Sequence, residues 1–303
     1  MILRVRDRTF EIHRPLIMGV VNATPDSFSD GGELRGVEAQ VGRAIELVEQ
    51  GATIVDIGGQ SAITGVPEIE ISEEIDRLVP VVAGVRGESD CIISVDTYRP
   101  EVASAALDAG ADVINDVSGL LDPSLASIAA HYGAGFVVMH TRWRPKTRED
   151  ARELYRERGV VADVVGFLRQ RVAALTAAGV AAEQIVVDPG PDFAKTAAQT
   201  VDLLRALDEI VAFGRPVLLA LSRKDFVGVI TQRPPKERLA GTLAAIAYCI
   251  ARAPASILRV HDVSEVREFL AVLDVLEARA EVHPAAGLDR ALRWQARVAP
   301  EST

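Results

Sequence analysis

Cysteine is nearly missing: Cys91 and Cys249 are the two in 303 residues, far apart and each in an apolar context. Two such residues build neither a disulfide framework nor a zinc site, and buried free thiols are expected. An excess of positive charge is missing too. Lys and Arg number 33 against 43 Asp and Glu, a formal net charge of −10. That excludes a domain-wide basic footprint for nucleic acid but leaves room for a local cationic pocket that takes a small anion. No apolar run approaches the roughly 18 residues of a membrane span, so no membrane partner is expected. The opening stretch MILRVRDRTFEIHR is charged throughout and holds no signal-peptide core, which predicts a cytoplasmic protein.

What is present is a regular alternation. Eight short apolar, β-branched runs recur: LIMGVV (16–21), TIVDIGG (53–59), CIISVDT (91–97), DVINDVSG (112–119), GFVVMH (135–140), IVVDPG (185–190), PVLLALS (216–222) and SILRVHD (256–262). Continuous apolar runs suit strands of a parallel sheet covered on both faces. Helical patterns lie between most of them. Val37, Val41, Ala44, Ile45 and Val48 share one helix face, with Gly51 as a stop. Ser72-Glu73-Glu74-Ile75 opens another helix with acids at its positive end. Pro100 suits a first helical turn ahead of 101–109, residues 160–178 are amphipathic up to Gly179, and 240–253 and 264–280 supply two more helices. Eight strands alternating with helices predict an α/β fold, a (β/α)8 TIM barrel. LRVRDRTFEI reads as a short N-terminal β-hairpin capping the barrel bottom. A single barrel domain over 1–280 and a C-terminal tail over 281–303 are expected.

In such a barrel the active site forms at the carboxyl ends of the strands. The residues there are Asn22, Asp56, Asp96, Asn115 with Asp116, Met139-His140, Asp188, Ser222-Arg223-Lys224, and Arg259 with His261 and Asp262. Taken singly, a polar strand end is commonly a helix cap or a turn former; Asp262 and Ser264 suit capping the last helix, and Asp116 suits satisfying backbone donors. Taken together, eight polar ends predict one shared mouth, because crowded charges are costly without a ligand. Asp56, Asp96, Asn115 and Asp188 offer acceptors for a flat heterocycle rich in N–H donors, the Asn donating as well. Lys224, Arg259 and His261 suit a ring carbonyl and phosphate oxygens. Met139 either packs on a ring face or fills the core. NATPDSFSDGG (22–32) follows the first run with almost nothing apolar to bury; turns explain Pro25-Asp26 and Gly31-Gly32, and the rest reads as a surface loop or a lid.

The ordered set IMGVVNATPDSFSDGG, IVDIGGQS, ISVDTYRPEVA, INDVSG, DPGPDFAKT, LSRKDFVG and ILRVHDV resembles the dihydropteroate synthase family over about residues 15–280. The resemblance implies a pterin-binding transferase of folate biosynthesis. Such enzymes condense 6-hydroxymethyl-dihydropterin pyrophosphate with p-aminobenzoate and release pyrophosphate, with Mg2+ as cofactor and a homodimer as the typical assembly. Asp96, Asn115, Asp188 and Lys224 match the positions that hold the pterin, and Arg259 and His261 the pyrophosphate-binding pair. Asn22 matches the residue near Mg2+ and pyrophosphate, and Phe193 and Lys224 contact the aminobenzoate ring. The loop holding Asp26 matches a mobile first loop that orders over the site. Departure of pyrophosphate leaves cationic character on the pterin methylene carbon, which Asp26 or Asp96 would stabilise while the loop excludes water. The catalytic candidates are therefore Asp26, Asp96 and Lys224. For a dimer, the apolar helices 240–253 and 264–280 are the candidate surface.

The chain also departs from the family. Where the family continues Gly58-Gly59 with Ser-Thr-Arg-Pro-Gly, the Thr, Arg and Pro positions are Ala62, Ile63 and Thr64, and a guanidinium fork is lost. Gly-Phe-Gly-Lys becomes Asp192-Phe193-Ala194-Lys195. Asp225 follows Lys224, where a carboxylate would repel that of p-aminobenzoate unless paired. HTRWRPKTRED carries Trp143 with Arg142, Arg144, Lys146 and Arg148, either a solvated loop or a grip on a different anionic second substrate. These departures motivate an alternative: a divergent paralogue that binds the pterin pyrophosphate but joins it to another acceptor, or to none.

Overall fold

The computed structural model describes residues 1–23, 36–60, 67–147, 150–284, 286–289 and 292–293. Asp26, Ala62, Ile63, Thr64 and Arg148 lie outside them, and so does most of NATPDSFSDGG. Strands β1 (Ile2–Val5) and β2 (Arg8–Glu11) form an antiparallel hairpin. Then come β3 (Leu16–Asn22), β4 (Ile54–Gly58), β5 (Ile92–Asp96), β6 (Val113–Asp116), β7 (Gly135–Met139), β8 (Ile185–Asp188), β9 (Val217–Leu219) and β10 (Ser256–Val260). They close into a parallel barrel in the order β10-β3-β4-β5-β6-β7-β8-β9, the TIM barrel expected from the eight apolar runs.

Helices cover the outside: α1 (Val37–Glu49), α2 (Ile71–Glu88), α3 (Pro100–Asp108), α4 (Ser124–Tyr132), α5 (Ala151–Leu154), α6 (Val160–Ala177), α7 (Ala197–Arg205), α8 (Leu207–Val211), α9 (Asp225–Thr231), α10 (Leu239–Ile250) and α11 (Val263–Leu276). The last two stop short of the expected 253 and 280. Pro100 occupies the first turn of α3, where its missing N–H costs nothing. Among the described residues no helix is long and apolar enough to cross a membrane. Both cysteines are free; Cys249 is buried, while Cys91 is only partly so.

Strand periodicity decides what faces the site. On β4, Val55 and Ile57 pack outward into the helix layer while Ile54 joins the barrel interior. Period two then turns Asp56 inward. By the same parity Ile93 and Val95 face out with Asp96 in, Ile114 out with Asn115 in, Val187 out with Asp188 in, and Leu258 out with Arg259 in. The amino end of the barrel is sealed by Leu3, Val5 and Ile12 of the hairpin region against Ile54, Ile92 and Val113. Each such side chain taken from water contributes about 1.5–3 kcal/mol. The carboxyl end is left for chemistry.

Candidate active site

At the carboxyl end one guanidinium bridges two carboxylates. Asp56, fully buried, accepts Ser94 Oγ–H at 2.6 Å, Asn115 Nδ2–H at 3.1 Å and Arg259 Nε–H at 2.7 Å. Arg259 also donates through Nη2 to Asp96 at 2.9 Å. Burial pushes the Asp96 carboxyl up to about 7 against the pull of Arg259, with the neighbouring Asp56 charge adding to the rise.

Across the mouth, Asp188 accepts the Gly190 N–H on Oδ1 at 2.7 Å. Burial pushes it up to about 6, although that hydrogen bond and the cations Lys224, Lys195 and Arg259 oppose the rise. Lys224 immediately precedes α9. Its ammonium lies 4.3 Å from the centre of the Phe193 ring, within cation–π range. Burial lowers the Lys224 pKa and Arg259 adds to that, while Asp192, Asp188 and Asp225 oppose it. His261 Nδ1 lies 3.0 Å from Ser222 Oγ, and that oxygen accepts the His261 backbone N–H at 3.3 Å. Burial, then Arg223 and Arg259, push the imidazole down to about 4, so it is neutral at pH 7. With Ser222 donating its proton to Nδ1, the ring keeps Nε2–H as a donor.

Not every strand end points inward. Asp116 has the parity of Ile114 and faces outward. Its oxygens accept the backbone N–H of Ser118 (2.8 Å) and Leu120 (2.5 Å) and the Ser118 hydroxyl (2.6 Å). His140 is fully buried, with Nε2 3.0 Å from Asp163 and Nδ1 2.9 Å from Lys195 Nζ. The Lys195 ammonium donates to Nδ1, which leaves Nε2–H for Asp163; burial, then Lys195, push this imidazole down to about 4. One mouth shared by all eight ends is therefore too generous: two of the polar groups are consumed by loop closure. Asp262 makes no side-chain cap on α11 and instead pairs with Arg223 at 2.5 Å. Met139 is 1% exposed, lies beside Gly190 and shares the inward parity of Val137 on β7. Asn22 ends β3 with an exposed side chain.

The one suspected repulsion, at Asp225, has a counterion, and the added Asp192 has hydrogen-bond donors. Asp225 is paired with Arg238 Nη1 at 2.9 Å. Asp192 accepts the Phe226 N–H and the Thr200 hydroxyl, each at 3.1 Å. In the basic loop, Arg142 is spent on Asp163, donating from Nε at 2.8 Å and Nη2 at 2.5 Å. Trp143, Arg144 and Lys146 line a cleft with Asp96, Phe193 and Gln60. The Trp143 indole N–H is buried with no hydrogen-bond partner among the described residues.

Sequence reasoning missed the buttress beside that cleft. Glu74 of α2 is 1% exposed, accepts Thr97 Oγ1–H at 2.9 Å and pairs with Arg99 at 3.0 Å; Arg99 pairs with Glu68 at 2.9 Å, and Tyr98 OH donates to Glu68 at 2.9 Å. Burial raises the Glu74 pKa. The signal was present as Thr97-Tyr98-Arg99 directly after Asp96, but the acids read as helix-dipole partners and not as this arginine's counterions.

The sequence model of the pterin binding enzyme family matches residues 18–261, from the first barrel strand to the residue just beyond the last. The dihydropteroate synthase of Synechocystis sp. is 42% identical over 269 residues, covering 87% of this chain and 90% of that protein. The chain belongs to the dihydropteroate synthase family. Solved structures of the family agree with its fold. Xanthomonas albilineans dihydropteroate synthase with 4-aminobenzoic acid matches with a TM-score of 0.82 and 38% identity, covering 91% of this chain and 98% of that one. The same enzyme in complex with 7,8-dihydropteroate matches with a TM-score of 0.81 and 38% identity, over 92% and 99%. As a member of the dihydropteroate synthase family the protein is a transferase of folate biosynthesis.

Proposed function

We propose that the protein condenses 6-hydroxymethyl-dihydropterin pyrophosphate with p-aminobenzoate, giving dihydropteroate and pyrophosphate. The observation that carries this is the ring of inward polar groups, Asp56, Asp96, Asn115, Asp188, Lys224 and Arg259, gathered at the carboxyl end of the barrel. Asp188 keeps acceptor capacity for two parallel N–H bonds from the pterin, which fixes the ring's orientation. Lys224 faces the pterin carbonyl on one side and the second ring, beside Phe193, on the other. Asn115 and Asp96 complete the pterin's polar edge, and Met139 packs beneath it.

The reaction breaks the bond between the pterin methylene carbon and the pyrophosphate oxygen, whose electron pair leaves with the pyrophosphate. Arg259 and the Nε2–H of His261 would meet the growing negative charge. The carbon turns cationic, and Asp96 is the described carboxylate nearest in role to stabilise it, with Asp26 as its counterpart in the first loop. The amine of p-aminobenzoate attacks with its own lone pair, forms the C–N bond and releases a proton to solvent, so it needs no strong base.

Among the described residues no group of three His, Cys, Asp or Glu could hold a metal ion. Mg2+ keeps several of its waters and binds largely through substrate phosphates. Asn22 would supply a protein oxygen, and the bound ion would neutralise pyrophosphate charge. A single pterin-binding barrel over 1–280 with a tail over 281–303, a cytoplasmic location, small-molecule partners and no nucleic-acid or membrane partner belong to the same reading. So does a homodimer, for which the exposed apolar side chains Tyr248 of α10 and Val272 and Leu276 of α11 are the candidate surface.

The test is calorimetry with the pterin pyrophosphate and Mg2+, followed by an assay for dihydropteroate once p-aminobenzoate is added. Binding followed by product formation is expected. Binding without product contradicts the reading and favours another acceptor.

A further inference from the structure

Asp188-Pro189-Gly190-Pro191-Asp192-Phe193-Ala194-Lys195-Thr196 joins β8 to α7. Asp192 and Ala194 flank Phe193 with φ of 65° and 52°. This left-handed conformation costs an L residue about 1–2 kcal/mol, so the surroundings must enforce it. They do so from two sides. The buried Lys195 ammonium donates to the carbonyls of Gly190 and Phe193, each at 2.9 Å. Asp192 does the rest. Its backbone N–H donates to Thr200 Oγ1, the Thr200 hydroxyl donates to its Oδ1, and its Oδ2 accepts the backbone N–H of Phe226 in α9, all at 3.1 Å.

We propose that Asp192 is a positioning residue for the reaction, tying the turn that bears Phe193 to the start of α9 so that Phe193 and Lys224 present one rigid wall to the second substrate. The inference deepens the site reading above and rests on it. Three consequences follow from the contacts. The Phe226 N–H lies two residues beyond Lys224, so the tie fixes the backbone that carries the ammonium. Thr200 anchors the same carboxylate to α7, so the turn cannot swing as a free flap. The 4.3 Å approach of the Lys224 ammonium to the Phe193 ring is thus imposed by a bond outside the pair itself. The tie also carries charge. Lys224 faces the acids Asp192, Asp188 and Asp225 and the cation Arg259, with Lys195 and His261 close enough to feel it. Of the acids, Asp192 contributes most to keeping Lys224 protonated. It also supports the charge of Lys195, which burial lowers to about 7.

Steady-state dihydropteroate formation by the full chain, as a function of pH, separates the possibilities. Asp192→Ala should raise KM for p-aminobenzoate by about tenfold, since a displaced wall of this kind costs one to two orders of magnitude, with a smaller rise in the calorimetric Kd for the pterin pyrophosphate, which Lys224 touches on its other side. Asp192→Asn keeps an oxygen for Phe226 N–H and should rescue most of that KM. Because it removes the charge, it should also move the alkaline limb of the pH–rate profile to lower pH by about half a unit or more. An unchanged KM in Asp192→Ala together with an unmoved limb in Asp192→Asn overturns the inference. If Asp192→Ala does not fold, the limb in Asp192→Asn decides alone. Lys224→Met is the control for the underlying reading: full activity there removes the site assignment and the inference with it, whereas lost activity beside wild-type Asp192 variants removes the inference only.

Discussion

Asp112 and Asp188 sit at opposite ends of the barrel, one just ahead of β6 and the other closing β8, and each is 3% exposed. Asp112 is engaged by its own chain through three hydrogen bonds on Oδ2, with the Arg6 guanidinium 3.9 Å from Oδ1. It accepts Arg8 Nη2–H at 2.8 Å, Arg86 Nη2–H at 2.5 Å and the Ile93 backbone N–H at 2.9 Å. Asp188 accepts one backbone N–H and is pushed up to about 6 by its burial. Equal burial with unequal satisfaction separates a carboxylate that serves the fold from one held ready for a ligand. The same contrast runs through both ends: hairpin side chains and arginine pairs close the bottom, while the top keeps donors and acceptors with capacity to spare.

The largest expected break in this comparison comes from Asp188→Asn. Dihydropteroate formation should fall by about three orders of magnitude, roughly 4 kcal/mol, because an amide cannot accept two parallel N–H bonds. Yet the ligand-free protein should gain stability. The folded Asp188 carboxyl titrates near 6, above its unfolded value of 3.8, so the stability associated with its protonated form is present below about pH 4 and lost as pH rises through 6. Relative to wild type, Asp188→Asn should therefore gain on the order of 1–3 kcal/mol at pH 8 and nothing at pH 4. Denaturant melts at the two pH values check this; an equal difference at both would refute the assignment of the shift.

Asp112→Ala should do the reverse. Removing one partner of a buried ion pair leaves arginine charge uncompensated, and about 3 kcal/mol of stability should go. Protein that remains folded should keep its KM for both substrates. A changed KM without a change in melting would erase the distinction between the two ends. Leu3→Ala sharpens the same point with an apolar group at the bottom: about 2–4 kcal/mol of stability lost to a cavity, read by denaturant melts, at unchanged KM.

The smallest effect belongs to Asp225→Asn. This side chain is mostly exposed and paired with Arg238, so it barely repels an incoming carboxylate. KM for p-aminobenzoate should change by about twofold or less. A fall of tenfold would show that the pairing leaves the repulsion intact.

The barrel was legible because continuous apolar runs and period-two alternation are properties of adjacent residues. The site was legible in part for the same reason. Ile54 with Asp56, or Val186 with Asp188, share the inward face, and counting in twos places the carboxylate at the mouth. The same count would have removed Asp116, which shares a face with Ile114, and left Asn115 as the polar group that β6 brings to the mouth. What the sequence hid are partnerships made across loops. Asp225 finds Arg238, Asp192 finds Thr200 and Phe226, and Glu74 finds Arg99. Each depends on how separate connections fold over one another, which no local pattern encodes. The helix ends at Ile250 and Leu276 were missed because apolar periodicity does not mark where the last turn gives up its helical hydrogen bonds.

Calorimetric titration of 6-hydroxymethyl-dihydropterin pyrophosphate into wild type, Asp188→Asn and Leu3→Ala, each first shown to be folded, tests the account most directly. Leu3→Ala should bind as wild type does despite its lower stability, and Asp188→Asn should show no measurable heat. Wild-type affinity in Asp188→Asn would contradict the claim that this unsaturated carboxylate grips the ring.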